Sequence, residues 1–277
     1  MQLDVYLTPR ALADDTLKGK IVVVVDVLRA CSTTVTTLAN GARAVVPVDD
    51  MGEAGRIAAA IGPETSLLGG ERNGRPIDGY GVGNSPLEYT PELVAGKTIV
   101  LNTTNGTGAF VAARGAARAV AGCFLNVSRV VDFLRAKLPV NGDVPHGALV
   151  CAGQNGRVAR EDVLCAGMIL HRLWGGAIPD GLDDGAHIAL AQYRQEQKRL
   201  ARAVFGCTHA QHLIALGYAD DVAYCAQPDA LPFLPRYEDS RLTLNADDRA
   251  RAAEALPPVA TEPEAPLSET ASEAARA

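Results

Sequence analysis

The sequence predicts an α/β protein, a three-layer α/β/α sandwich built on a mostly buried, mixed sheet. Three observations carry that reading. Short β-branched runs alternate with segments of helical period, and several of the runs are apolar on both faces, as strands covered on each side must be. No Gly/Ser-rich or Pro-rich linker interrupts the alternation before a change of composition at Ala246.

Taken in order, the strands are IVVVVDV (21–27), ARAVVPV (42–48), SLLGG (66–70), TIVLNTT (98–104), RAVAG (118–122) and GALVCAG (147–153). Helical patterns lie between and after them at 32–40, 52–61, 106–114, 127–138 and 161–173. Beyond Asp183 the pattern becomes mostly helical, and 186–204 is the longest amphipathic stretch. Residues 19–48 and 96–122 read alike: Gly-Lys, an apolar strand, a helix, then Gly-Ala and a second strand. An internal βαβ duplication would bring the loops after Asp26 and after Leu101 to equivalent strand ends, which in open α/β sheets face the ligand crevice. Two Ala-rich units alike by chance are the alternative. Residues 1–245 are thus expected as one domain, and 246–277 as a low-complexity tail, disordered from about residue 255 onward.

Composition excludes several classes of function. Of 277 residues, 26 are Lys or Arg and 32 Asp or Glu, a formal charge of −6. The tail holds −4 of that, leaving the folded part at −2. There is no basic block and aromatics are only 5%, so neither nucleic acid nor an anionic membrane is an expected partner. The run 21–25 is too short to cross a bilayer and no leader pattern precedes it, which points to a cytoplasmic protein. The six scattered cysteines lack any Cys-x-x-Cys pair and are expected to be reduced. Oligomeric state is open, a homodimer being the commonest assembly.

Five segments concentrate chemistry. In VVVVDVLRACSTT a strand ends in Asp26, followed by Arg29 and the hydroxyls of Ser32, Thr33 and Thr34 at a helix start; an acid, a guanidinium and helix N–H groups suit an oxyanion with a hard metal ion. The alternative is a helix cap at Ser32 and an Asp26–Arg29 pair. Segment 69–90 carries Glu71 and Arg72 at a strand end, then a long Gly-rich loop with Asn84, Ser85 and Glu88. Its glycines do not form a dinucleotide loop. NTTNGTGAF offers Thr104, Asn105 and Thr107 at a strand-to-helix turn, equipment for cradling a phosphate or sulfonate, or a plain Asn-Gly turn.

In CAGQNGRVAREDVLCAG, Cys151 and Arg157 have the spacing of a cysteine-dependent phosphatase loop, although Val150 and Val158 flank it where His and Ser or Thr are usual. Glu161 and Asp162 read as helix caps or carboxylate ligands. Finally, Cys207, His209 and His212 lack zinc spacing and are expected as surface or core residues, with His209 a candidate proton donor.

The motifs DVLRACSTT, LLGGERNG, GNSPLEYT, TTNGT, GCFLN and CAGQNGR…EDVLCAG, in this order, resemble the 2-phosphosulfolactate phosphatase family over residues 3–237. The resemblance implies a three-layer fold and Mg²⁺-dependent hydrolysis of 2-phosphosulfolactate, a small anionic phosphoester, to 3-sulfolactate and phosphate in coenzyme M biosynthesis. It assigns Asp26, Arg29, Glu71, Arg72, Asn84, Asn105, Glu161 and Asp162 to the motif blocks. Gly81 and Gly108 depart from it, standing where an aspartate and an arginine are expected.

Phosphate monoester hydrolysis needs neutralised phosphoryl oxygens, a positioned water and help for the leaving alkoxide. Asp26 and Glu71 are the expected Mg²⁺ ligands, with Glu161 or Asp162 completing the shell or serving as base. Arg29, Ser32, Arg72, Asn84, Thr104, Asn105, Thr107 and Arg157 are the expected substrate contacts. Three alternatives remain: Asp26 as a phosphoryl-accepting nucleophile, disfavoured by Leu28 where such enzymes carry a second aspartate; another 2-phospho-hydroxy acid as substrate; and a non-catalytic anion-binding homologue.

Overall fold

The computed structural model describes residues 2–13, 15–138 and 146–255. Ten strands form one mixed sheet: β1 (Leu3–Tyr6), β2 (Ile21–Val25), β3 (Ala44–Pro47), β4 (Ser66–Arg72), β5 (Arg75–Pro76), β6 (Thr98–Asn102), β7 (Arg118–Gly122), β8 (Gly147–Cys151), β9 (Arg236–Glu238) and β10 (Arg241–Thr243). Their order is β1-β8-β2-β7-β9-β10-β3-β6-β4-β5. Two parallel blocks, β1-β8-β2-β7 and β3-β6-β4, are joined through the antiparallel hairpin β9–β10. The mixed α/β sandwich read from the sequence is therefore the observed fold class.

All six expected strands form, but those ending on polar residues stop early. Asp26, Thr103, Thr104 and Gly153 lie beyond their strands, in the loops that build the site. Strands β9 and β10 gave no sequence signal, being three residues each with one apolar side chain apiece. Tyr237 and Leu242 are buried there because the open edges of β7 and β3 offer pairing partners.

The helices are α1 (Ala30–Ala39), α2 (Met51–Ile61), α3 (Pro91–Val94), α4 (Gly106–Ala112), α5 (Val127–Lys137), α6 (Arg160–Leu173), α7 (Asp184–Glu196), α8 (Leu200–Phe205), α9 (Thr208–Ala215), α10 (Ala219–Cys225) and α11 (Ala246–Ala255). The stretch expected as one helix at 186–204 divides at Glu196, whose carboxylate accepts from both Arg160 and Arg199. The compositional boundary at 246 coincides with the start of α11, which buries Asp248 and Ala252. The fold thus continues to Ala255, and the rest of the expected tail lies outside the described residues.

Period-2 alternation explains why β2 is buried throughout. Val22 and Val24 pack with Cys31, Val35 and Leu38 of α1 and Phe110 of α4, while Ile21, Val23 and Val25 pack with residues of α5 and α6. Each such valine contributes roughly 1.5–3 kcal/mol by burial. All ten residues of α1 are buried, and three of its hydroxyls turn to backbone carbonyls: Ser32 Oγ donates to that of Val27 at 2.8 Å, Thr36 Oγ1 to that of Ser32 at 2.9 Å and Thr33 Oγ1 to that of Asn84 at 2.8 Å. Helix α2 covers the outer face of β6, with Ala54 and Ala58 against Val48 and Val100.

The crossovers β2-α1-β3 and β6-α4-β7 each start in one parallel block and end in the other, and the carboxyl ends of β2, β4, β6 and β8 border one cleft.

Candidate functional site

A cleft of about 360 Å³ opens at these strand ends, within the range of small-molecule sites. Asp26 forms part of its wall. Its Oδ1 accepts the Ala30 amide at 3.1 Å, so the carboxylate is fixed by the first turn of α1. Its other oxygen approaches α4 so closely that a Cβ on Gly106 would lie 2.3 Å from it; glycine opens α4 because nothing larger fits beside Asp26. Burial pushes the Asp26 carboxyl up to about 7, against the lowering effects of His209 and the Ala30 amide and with Glu71 and Glu161 reinforcing the rise.

Glu71 reaches the cleft from the end of β4. The turn after it is a two-residue hairpin, Asn73-Gly74, with φ of +52° and +81°, the left-handed pair that such turns require. Its Oε2 accepts the Gly74 amide at 2.7 Å and the Thr104 hydroxyl at 3.1 Å, and its Oε1 accepts the Thr104 amide at 2.7 Å. Glu71 thereby ties the β4 hairpin to the β6–α4 turn.

The adjacent acids of α6 have separate tasks. Asp162 accepts the Val27 amide at 2.8 Å and the Gly153 amide at 3.0 Å, clamping the loops after β2 and β8 from behind the cleft. Burial, then Asp26 and Glu161, raise its carboxyl well above the ordinary range. A direct catalytic role for Asp162 is therefore not supported: both oxygens serve backbone amides and the residue is absent from the cleft wall. Glu161 is also behind the wall, but its Oε1 lies 3.0 Å from His209 Nδ1, and His209 does face the cleft. His209, expected as a surface or core residue with proton donation as the alternative, is buried and lines the cleft, because α9 packs over the strand ends and delivers His209 and His212 to the wall.

The expected substrate contacts divide in the same way. Arg29, Asn84, Thr104 and Asn105 line the cleft. Ser32 does not, since its hydroxyl is spent on Val27. Thr107 bonds the Thr103 carbonyl at 3.0 Å inside α4. Arg72 turns away to the Glu71 carbonyl and the Asn102 side chain. Arg157 is exposed, because residues 154–157 close into a turn through two 2.9 Å backbone bonds that direct its side chain outward. Cys151 is fully buried within β8 and outside the cleft wall, and burial pushes its thiol well up, both of which argue against the thiolate reading.

Sequence reasoning missed Asn73, Gln154 and Asn155, all in the wall. The Asn-Gly hairpin signal was available for the first. Asn155 is held by its amide donating to Asn105 Oδ1 at 2.8 Å.

Among the described residues, no three His, Cys, Asp or Glu side chains converge as a ready-made metal cage. Mg²⁺ seldom requires one: it is commonly held by one or two carboxylates, water and substrate phosphate oxygens. Asn84 Oδ1 and Thr103 Oγ1 are buried at the cleft without a hydrogen-bond partner, and with Asp26 they form a set of hard oxygen donors that fits this mode. Glu71 fits less freely, since three donors already hold it.

A family profile described as 2-phosphosulpholactate phosphatase matches residues 6–240. Among similar proteins, the probable 2-phosphosulfolactate phosphatase of Pseudothermotoga lettingae is 40% identical over 88% of this chain and 99% of its own. Its namesake in Caldanaerobacter subterraneus subsp. tengcongensis is 36% identical over 89% of this chain and all of its own length. That of Gloeobacter violaceus is 38% identical over 85% and 95%, respectively.

Proposed function

Because the chain belongs to the 2-phosphosulpholactate phosphatase family, we propose that its cleft hydrolyses 2-phosphosulfolactate to 3-sulfolactate and phosphate with Mg²⁺, as a step of coenzyme M biosynthesis. The observation that carries the reading is the convergence at one set of strand ends of Asp26, Arg29 and the Glu161-held His209.

Bound Mg²⁺ would neutralise phosphoryl charge and activate water, with Asp26, Asn84 and Thr103 as its protein ligands and Glu71 at the border. The chain's own residues account for the rest. Arg29 directs guanidinium N–H groups at substrate oxygens. His209, with Nδ1 fixed by Glu161, keeps Nε2 for the cleft and hands a proton to the departing alkoxide oxygen. Five carboxamides, Asn73, Asn84, Asn105, Gln154 and Asn155, line the walls. They bind the carboxylate and sulfonate through directed N–H groups rather than net charge, in keeping with the near-neutral folded part of the chain. The cysteines are all free and buried, which supports a reducing, cytoplasmic setting. No described helix is long and apolar enough to cross a membrane.

Phosphate release from a panel of 2-phospho-hydroxy acids, with and without Mg²⁺, tests the substrate. Preference for 2-phosphosulfolactate supports the reading, and equal or better turnover of a homologue without the sulfonate transfers it to that homologue. Trapping with labelled substrate tests the attacking group: water attack leaves no acyl-phosphate on Asp26, and a stable adduct there makes Asp26 the nucleophile.

A further inference from the structure

Arg29 reaches the cleft wall held on three sides. Its Nη1 donates to Asp221 Oδ2 at 2.6 Å, its Nη2 donates to the Gly74 carbonyl at 3.2 Å, and its guanidinium lies 4.4 Å from the centre of the Tyr218 ring. Asp221, in the first turn of α10, is far away in sequence and its second oxygen is also occupied, accepting from Ser85 Oγ at 2.6 Å. The side chains of Arg29 and Asp221 are 2% and 3% exposed. Three segments meet in this network: the loop after β2, the region 74–85, and the turn from α9 into α10.

A buried ion pair is a costly way to hold a fold together, since the desolvation of two charges offsets most of their attraction. Orientation is what this pair supplies. An aspartate with both oxygens engaged fixes one guanidinium nitrogen, the Gly74 carbonyl anchors the second, and the Tyr218 ring lies against the group. Of the five N–H groups of an arginine, these contacts use two, and Arg29 is part of the cleft wall.

We propose that Asp221, with Ser85 behind it, is a positioning residue that aims Arg29 at the anionic end of the substrate. The proposal rests on the reading of the cleft as a phosphoester site. Asp221 is separated from Arg29 by 192 residues, and no motif in the sequence pointed to it.

The test is a double-mutant cycle on the full chain with Asp221→Asn, Arg29→Met and both together. Two readouts are used: KM and kcat for 2-phosphosulfolactate, and the Kd of inorganic phosphate by calorimetry. Asp221→Asn is expected to raise KM and the phosphate Kd in parallel by about tenfold, in line with the loss of one charge-assisted contact. Its effect on kcat is expected to be smaller, under about threefold, and Asp221→Glu is expected to recover part of the loss. In the Arg29→Met background the same substitution should change neither constant, because Asp221 acts through Arg29.

A lowered melting temperature with unchanged KM and Kd would make Asp221 a structural tie and overturn the proposal, as would equal effects with and without Arg29. If Asp221→Asn does not fold, Ser85→Ala takes its place: it loosens the same carboxylate and is expected to raise both constants more weakly, and unchanged constants there would overturn the proposal too. Failure of the wild-type chain to release phosphate from 2-phosphosulfolactate would count against the functional reading alone, since the Kd cycle still decides the role of Asp221.

Discussion

Glu161 Oε1 and His209 Nδ1 lie 3.0 Å apart, joining the first turn of α6 to the first turn of α9 across 48 residues of sequence. The bond fixes one ring nitrogen of a cleft histidine, with a carboxylate that is 1% exposed behind it. The contact leaves the other ring nitrogen of His209 unused by Glu161.

His209→Asn should therefore lower kcat for 2-phosphosulfolactate by about 10²-fold or more, with KM changed far less. Glu161→Gln should lower kcat less, since the ring stays in place but loses its orienting charge. An aryl phosphate such as 4-nitrophenyl phosphate, whose leaving group needs no proton, should be turned over by His209→Asn at close to the wild-type rate. Equal losses on both substrates would remove the acid role.

Gly106 and Gly108 are neighbours in α4 with opposite surroundings. A Cβ at Gly106 would lie 2.3 Å from Asp26 Oδ2 and 2.7 Å from Ala30 Cβ, whereas at Gly108 it would meet nothing within 4 Å. Gly106→Ala should thus displace Asp26 and reduce turnover at least about tenfold while circular dichroism stays native. Gly108→Ala should leave turnover intact and stabilise the fold by about 0.5–1 kcal/mol through helix propensity. Gly108 is also outside the cleft wall.

Asp162→Ala would strand the Val27 and Gly153 amides in the interior. Denaturant unfolding should show a loss of about 2–4 kcal/mol, from two buried donors left without acceptors. A change below about 1 kcal/mol would mean that the loops re-pair without Asp162.

Away from the site, Asp229 binds the Ser128 amide and hydroxyl and the Arg172 guanidinium. Burial alone would raise its carboxyl, but the Arg172 and Ser128 contacts outweigh it and hold the group below the ordinary range. Its stabilising effect is therefore present above the unfolded carboxyl value, about 3.9, and is lost as the pH falls through the lower folded value. The stability gap between wild type and Asp229→Ala should be constant near neutrality and shrink below about pH 4, as read from urea titrations across the acid range.

The strands were legible because runs such as Ile21–Val25 are β-branched and apolar at every position, and the site's location was legible because Asp26 and the 103–105 turn end two of them. Glu71 and Asn105 were found by residue type at strand ends. The roles of Ser32, Arg72, Thr107 and Arg157 were not, since nothing local says whether a hydroxyl will bond its own backbone or a guanidinium will turn outward. Asp221 and the Glu161 contact that holds His209 were out of reach for another reason: they arise from α9 and α10 packing over loops far away in sequence, and a helical period records only which face is buried.

Phosphate release from 2-phosphosulfolactate by the full chain, followed in Mg²⁺, in EDTA and with Asp26→Asn, tests the central claim most directly. Turnover in Mg²⁺ that falls at least about 10³-fold in EDTA and in Asp26→Asn is the predicted result. Turnover that survives chelation, or survives in Asp26→Asn, would contradict it.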